Sequence, residues 1–413
     1  MPSWSRYVDR GLLISVTLLI GLGLVIMMSA SIAVAERNYG NVFFFFNRQL
    51  MFLCLGILVA FFVYKIKTSV WQHMGAKILP VVLLLLIAVL IPGIGKEVNG
   101  SYRWISLGPV SLQVSEMAKL IMIMYMAGYL VRHGKELAYS SSYSPLVIPL
   151  VVLGITDALL MLEPDFGSVV VLTATGMAML FLGGVKFSRL AFLFVGAITV
   201  MIPLVLMGYR GARVTAFLDP WSHATGKAYQ TVHALMAVGD GGWLGSGLGG
   251  SVQKLFYLPE AHNDFIFAVL AEELGFVGIV ITLALYAWLV QRAFVIGFRA
   301  DRAKLNFAAY LAYGIGFWMG FQVLFHIGVN LALLPPKGLT LPLISYGGSS
   351  LLVTIMALAL LMRVHRDTQI ALFGLSDKEA QQMKNKMFKQ TSKSRSKAAA
   401  TRKKSAGGAS YAR

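Results

Sequence analysis

Apolar residues in this chain gather into ten long stretches separated by short polar ones, at 11–35, 50–64, 78–94, 114–131, 145–162, 168–185, 190–207, 265–290, 307–334 and 342–362. A hydrocarbon core of about 30 Å takes roughly 20 residues of helix to cross, and backbone polar groups within it must bond to one another. The pattern predicts an all-α polytopic membrane protein with ten transmembrane helices. The second and third stretches are short by themselves and borrow flanking residues such as 43–46. Ala33-Val34-Ala35 has the small-x-small form of a signal-peptide cleavage site, but the run from Gly11 is longer than a signal core and nine more follow; we read it as a retained span.

The connections carry the charge. Of the Lys and Arg outside the spans, 26 fall on one side if the N-terminus is cytoplasmic, and 9 on the other. Positive loops stay inside, so both termini are expected in the cytoplasm. The connection at 208–263, between helices seven and eight, is then a large extracytoplasmic loop. Residues 1–363 form the expected membrane domain, and 364–413 a basic cytoplasmic tail whose Lys-, Ser- and Ala-rich end reads as disordered. That tail suits electrostatic adhesion to anionic lipid.

Composition agrees and narrows the chemistry. At 57% apolar and 13% charged, with mean hydropathy +0.71, a soluble fold is excluded. The net charge of +18 is concentrated in the tail, so it does not announce a nucleic-acid surface. Cys54 is the single cysteine, which removes intrachain disulfides and cysteine-based metal sites. The seven His show no paired ligand spacing, and no protein metal cage is expected.

Charges retained within apolar spans call for a partner or a task. Glu116 and Lys119 lie three apart on one helix face and can pair or contact substrate. Asp157 is a further such charge; Glu272 and Glu273 read as mainly structural, and His326 as a neutral ring bonded between helices. Asp264, where the long loop meets a span, has two readings: a helix N-cap, or a working carboxylate at the outer membrane face. Residues 239–250, Gly-Asp-Gly-Gly-Trp-Leu-Gly-Ser-Gly-Leu-Gly-Gly, follow no strand, so they suit a tight turn or re-entrant segment better than a dinucleotide loop. Ser345 and Ser349, in Ser-Tyr-Gly-Gly-Ser-Ser, can line a polar cavity or allow close packing.

Residues 334–350, Leu-Pro-Pro-Lys-Gly-Leu-Thr-Leu-Pro-Leu-Ile-Ser-Tyr-Gly-Gly-Ser-Ser, resemble the signature of the SEDS family (shape, elongation, division and sporulation), and 257–275 resemble its catalytic loop and following helix. Further likeness runs through Arg48-Gln49, Arg103-Trp104-Ile105, Gln113 with Glu116 and Lys119, Pro164-Asp165, Arg213-Val214, Tyr229-Gln230 and 245–253. The division branch is the nearer, the elongation branch second. Glu163, Pro336 and His326 stand where the family more often has Gln, Thr and Asn.

The resemblance implies a peptidoglycan glycosyltransferase that polymerises lipid II at the division septum, in the bacterial cytoplasmic membrane, with a class B penicillin-binding transpeptidase and other divisome membrane proteins as partners. It assigns Asp264 as general base, reversing the preference for a cap. Arg48, Arg103, Lys119, Arg213, Lys254 and Lys337 supply cations for the leaving diphosphate, with Mg²⁺ or Mn²⁺ as a companion of that group. Glu116, Gln230, His262, Ser345 and Ser349 are the other candidate substrate-binding positions. A lipid II flippase and a non-catalytic scaffold for a transpeptidase remain as alternatives.

Overall fold

A helix occupies most of each of the ten expected stretches. The computed structural model describes residues 7–98, 101–108, 110–139, 142–206, 217–336 and 338–373. Before the long loop come α1 (Arg10–Tyr39), α2 (Phe44–Lys65), α3 (Thr68–Val89), α4 (Val114–Tyr139), α5 (Ser144–Leu162), α6 (Phe166–Leu182) and α7 (Phe187–Leu206). Within it lies α8 (Tyr229–Asp240), and after it α9 (Ile266–Arg302), α10 (Asn306–Asn330) and α11 (Gly348–Phe373). Among the described residues, eight of these helices are long and apolar enough to cross a membrane, and α6 is a shorter apolar helix. The chain is a mostly helical, multi-pass membrane protein. The short third stretch gains its length at its front: α3 begins at Thr68 and stops at Val89, so its expected end at 94 is corrected.

The expectation of an all-α chain also needs correction. Between α3 and α4 the chain forms a three-stranded antiparallel sheet, β1 (Gly95–Val98), β2 (Ser101–Leu107) and β3 (Val110–Gln113). The segment is too short and polar to span, and its Tyr102, Trp104 and Ile105 favour strands. Trp104 pairs with Gln113 and Lys96 with Trp104, which fixes Arg103 on the central strand.

α4 lies at the centre. In its most apolar window 89% of residues are buried inside the protein, against 28% for α2, α3 and α5, whose remaining faces are free for lipid. α10 packs on α9, α6 and α4. At one end of the bundle, Asp9 caps α1 by accepting from Leu12 N–H at 2.9 Å and pairs with Arg292 of α9. At that same end Asp367 accepts from Thr68 N–H and Oγ1–H at 3.0 and 2.8 Å, and Arg363 donates to the Tyr64 and Lys65 carbonyls. These bonds belong to an α11 that runs to Phe373, so position 363 falls inside a helix; residues 374–413 lie outside the described residues. Asp264 sits at the opposite end.

Candidate functional site

Asp264 ends the turn that precedes α9. Its backbone is shaped by Glu260, at φ 57°, whose carbonyl accepts from Asn263 N–H at 3.0 Å and whose carboxylate accepts from the Asn263 side chain at 2.6 Å. The capping reading of Asp264 is not realised. The N-cap position is Phe265, without a side-chain cap, and the Ala268 N–H donates to Asn330 Oδ1 on α10 at 3.1 Å. Asn330 also donates to the Asp264 carbonyl at 3.1 Å and to the His326 carbonyl at 2.8 Å. A neighbouring helix thus does the capping, and the aspartate carboxylate is left for other work.

Three segments face that half-buried carboxylate. Gly338 approaches so closely that a Cβ there would lie 3.2 Å from Oδ2. The turn between α5 and α6 brings Asp165, which caps α6 through Ser168 N–H at 3.2 Å and Ser168 Oγ–H at 2.8 Å. From β2, Arg103 reaches the same turn, its Nε donating to the Glu163 carbonyl at 2.8 Å and its Nη2 to the Pro164 carbonyl at 2.7 Å. Burial pushes the Asp264 pKa up to about 7; the Glu260 and Asp165 charges add to the rise and the Arg103 guanidinium opposes it. A carboxyl poised there is matched to proton transfer at neutral pH.

Glu163 is fully buried, and neither of its carboxyl oxygens has a hydrogen-bond partner. Burial raises it to about 8, with Asp165 adding and Arg103 opposing. At neutral pH the side chain is mainly the neutral acid, close in shape and charge to the Gln more usual at this place.

The other expected residues fall into three groups. Arg48 on α2 and His262 join an aromatic cluster: His262 packs on Phe45 at 4.5 Å and Tyr346 at 5.7 Å, and the Arg48 guanidinium lies 5.5 Å from the Phe44 ring. Burial lowers the His262 pKa. Ser345 and Ser349 hold backbone: Ser345 Oγ donates to the Asn263 carbonyl at 2.7 Å and Ser349 Oγ to the Ser111 carbonyl at 2.8 Å. They bind the 345–349 segment to the Asp264 turn and to β3. Glu116 and Lys119 pair at 2.8 Å, as their spacing allows, and Lys119 also donates to Gln322 Oε1 at 2.9 Å. Both are buried in the bundle beneath the site. Gln230 is half-buried in the first turn of α8. Arg213 and Lys337 lie outside the described residues.

Lys254 works at a distance from Asp264. It pairs with Glu273 of α9 at 2.6 Å and donates to Ser29 of α1 at 2.8 Å, while Glu272 accepts from Ser251 Oγ at 2.5 Å and Val252 N–H at 2.7 Å. These bonds root the glycine-rich segment on α9, where the helix is broken at Gly275, φ 64° and ψ −164°. The carbonyls of Glu272 and Glu273 accept from Ser246 and Gly247 N–H at 2.9 and 3.1 Å; Phe276 and Val277 N–H donate to the Gly242 and Trp243 carbonyls at 2.9 and 3.2 Å. Backbone groups released by the break are thereby satisfied within the membrane region, as they must be. A Cβ on Gly245 or Gly275 would strike the opposing backbone, so the two chains meet only as glycines.

The sequence reading missed Gln322 and Asn330. With His326, whose Nδ1 bonds the Leu339 carbonyl at 2.6 Å, they form a stripe four residues apart on α10. Gln322 Nε2 donates to the Thr340 carbonyl at 3.0 Å. The stripe therefore positions the 338–340 segment and the Asp264 turn together. Two amides and an imidazole at i, i+8 and i+4 in an apolar span are the available signal.

The chain as a whole has known relatives. The family model described as cell cycle protein, covering FtsW, RodA and SpoVE, matches residues 10–370. The chain belongs to the FtsW/RodA/SpoVE family. Within it, the chain is 50% identical over 366 residues to a probable peptidoglycan glycosyltransferase FtsW of Thioalkalivibrio sulfidiphilus, covering 88% of this chain and 91% of the relative. It is 46% identical over 370 residues to the similarly named protein of Coxiella burnetii, covering 89% and 98%. Among solved structures, it superposes on a chain of a peptidoglycan synthase complex that coordinates polymerization and crosslinking, at TM-score 0.72 and 29% identity, covering 87% and 98%. The Thermus thermophilus rod shape determining protein RodA gives TM-score 0.65 at 30% identity, covering 89% and 99%.

Proposed function

We propose that this FtsW-like chain is a peptidoglycan glycosyltransferase that polymerises lipid II, with Asp264 as the general base. The observation that carries the reading is an uncapped, half-buried carboxyl held near pKa 7 at one end of the bundle, with the Arg103 guanidinium, anchored on the α5–α6 turn, acting on it. Lipid II is an α-linked sugar diphosphate and the product a β-1,4 glycan, so a single inverting displacement suffices. The 4-hydroxyl of one sugar attacks the anomeric carbon of the other, Asp264 takes its proton, and undecaprenyl diphosphate leaves. A positioned base contributes about 10²–10⁴-fold. Diphosphate leaves readily, and Arg103 is the described cation placed to meet its charge.

Ten spans, cytoplasmic termini and an outer 208–263 loop are supported by the position of Asp264, Arg103 and Asp165 at the end opposite Asp9, Arg292 and Asp367. Among the described residues, the polar network beneath the base runs through Gln322 to Lys119, in the second turn of α4, and to Trp318 of α10, which favours chemistry at one face over a path across the membrane. Among the described residues, no three His, Cys, Asp or Glu side chains form a metal-binding group; a divalent cation on the diphosphate would screen its charge and be held by the substrate. A class B penicillin-binding transpeptidase is the expected membrane partner, and the septal cytoplasmic membrane the expected place. The basic tail suits adhesion to anionic lipid.

The test is glycan synthesis from labelled lipid II by the purified chain with its partner, beside Asp264→Asn. Loss of polymer with unchanged melting and partner binding is expected. Full polymerisation by the variant overturns the base; transbilayer movement of lipid II by wild type without polymer replaces the enzyme by a transporter.

A further inference from the structure

An apolar cavity of ≈ 100 Å³ lies beside the Asp264 turn. Phe166, Gly167 and Val170 wall it from the start of α6, Phe325 and Val329 from α10, and Leu334, Pro335 and Leu339 from the connecting segment. No polar side chain is among its lining residues, so a water inside would lack the two to four partners it needs. The space is dry and favours an apolar occupant.

Two of its walls are continuous with the polar site. Leu339 follows Gly338, which touches the Asp264 carboxylate. Gly167 lies two residues after Asp165, one of the charges acting on Asp264. Both walls are fixed. The Leu339 carbonyl is held by His326 at 2.6 Å, and its side chain fills the place where a Cβ on Gly167 would come within 2.6 Å. A molecule occupying cavity and site at once must join a compact apolar group almost directly to an anionic head.

We propose that this cavity seats the isoprenoid unit nearest the diphosphate of the lipid-linked sugar. The inference rests on the glycosyltransferase reading and names the part of the substrate recognised. A dry cavity of about 150 Å³ accommodates benzene, so this one suits about one branched five-carbon unit. Prenyl diphosphates carry that unit one bond from the phosphate oxygen. Phospholipids separate head from tail by a glycerol diester and do not match the short step from Leu339 to Asp264.

The probe is a geranyl diphosphate carrying a photoactivatable diazirine on its first isoprene unit, added to the full chain in nanodiscs with its partner. Labelling is expected on peptides 166–170 and 325–339, displaced by geranyl diphosphate and not by n-decyl phosphate or inorganic diphosphate. Val170→Trp and Val329→Phe, filling the space from opposite helices, are expected to abolish labelling. Both should raise KM for lipid II by about tenfold, the worth of roughly two buried methylenes. Ile148→Trp, which adds similar bulk on the exposed face of α5 and does not line the cavity, should keep both labelling and KM, and melting temperatures show that the filled variants fold. Labelling elsewhere, equal displacement by decyl phosphate, or unchanged KM in folded filled variants overturns the inference. If wild type polymerises lipid II while labelling misses the cavity, this inference falls alone. If the cavity is labelled and no polymer forms, the prenyl site stands and the glycosyltransferase reading falls.

Discussion

Gly338 and Asp264 face each other across a gap that holds no side chain: a Cβ at 338 would stand 3.2 Å from Oδ2. The opening above the base is therefore kept by a missing methyl group. Gly338→Ala is expected to displace the carboxylate by a fraction of an ångström and lower polymerisation by about 10–100-fold, since misplacement near 1 Å costs about 10²-fold. Thermal unfolding should change little. The comparison of glycan yield and melting temperature checks it.

With Asp264 as the proposed base, the rise of its pKa to about 7 is expected to set the acid limb of activity. A base must be ionised, so polymerisation should fall tenfold per pH unit below about 7 and level off above it. A pH–rate profile under single-turnover conditions measures this; an acid limb near pH 4 would contradict the buried setting.

Glu163 gives the opposite signature in stability. Its pKa is about 8 when folded against 4.5 for an ordinary Glu. Its contribution is intact below pH 4.5 and is lost as pH rises through 8, because the unfolded chain ionises more easily. Glu163→Gln removes that dependence. The variant should match wild type near pH 4 and exceed it by on the order of a few kcal/mol above pH 8, read as melting temperature against pH.

Asn330 bonds both the carbonyl of Asp264 and the N–H of Ala268. Asn330→Leu leaves the Asp264 carbonyl open, at about 1–3 kcal/mol, leaves Ala268 N–H with only the Phe265 carbonyl, and frees the turn carrying the proposed base. A loss of kcat larger than the change in KM is expected, and Asn330→Asp, which keeps the acceptor for Ala268, should recover part of the stability.

The Lys254–Glu273 pair is buried on both sides. Removing one partner strands a charge, at about 3–5 kcal/mol, whereas replacing both with apolar residues of similar size is near neutral. Lys254→Met alone should lower the melting temperature sharply, and Lys254→Met with Glu273→Leu should restore most of it.

Much of this was legible in the chain, because span length and basic loops are one-dimensional signals. Every apolar stretch found its helix, and the Glu116–Lys119 spacing its ion pair. What was not legible depends on segments far apart in sequence. From its position alone Asp264 looked like its own helix cap; the acceptor for Ala268 N–H is Asn330, on another helix. Lys254 stood among the candidate cations for the diphosphate without its partner Glu273, because an ion pair between a loop and a helix leaves no periodic signal. The strands at 95–113 escaped because hydropathy weighs polarity and ignores the cross-strand pairing of Trp104 with Gln113.

The interruption at Gly275 makes α9 a jointed rod, with the 242–247 segment clamped at its joint and Asp264 just beyond its upper tip. A load placed on the 242–247 segment would be delivered at this fulcrum. The stretch of α9 between the joint and Asp264 is a short lever arm, so a protein gripping that segment would have a mechanical handle on the proposed base without touching the sugar.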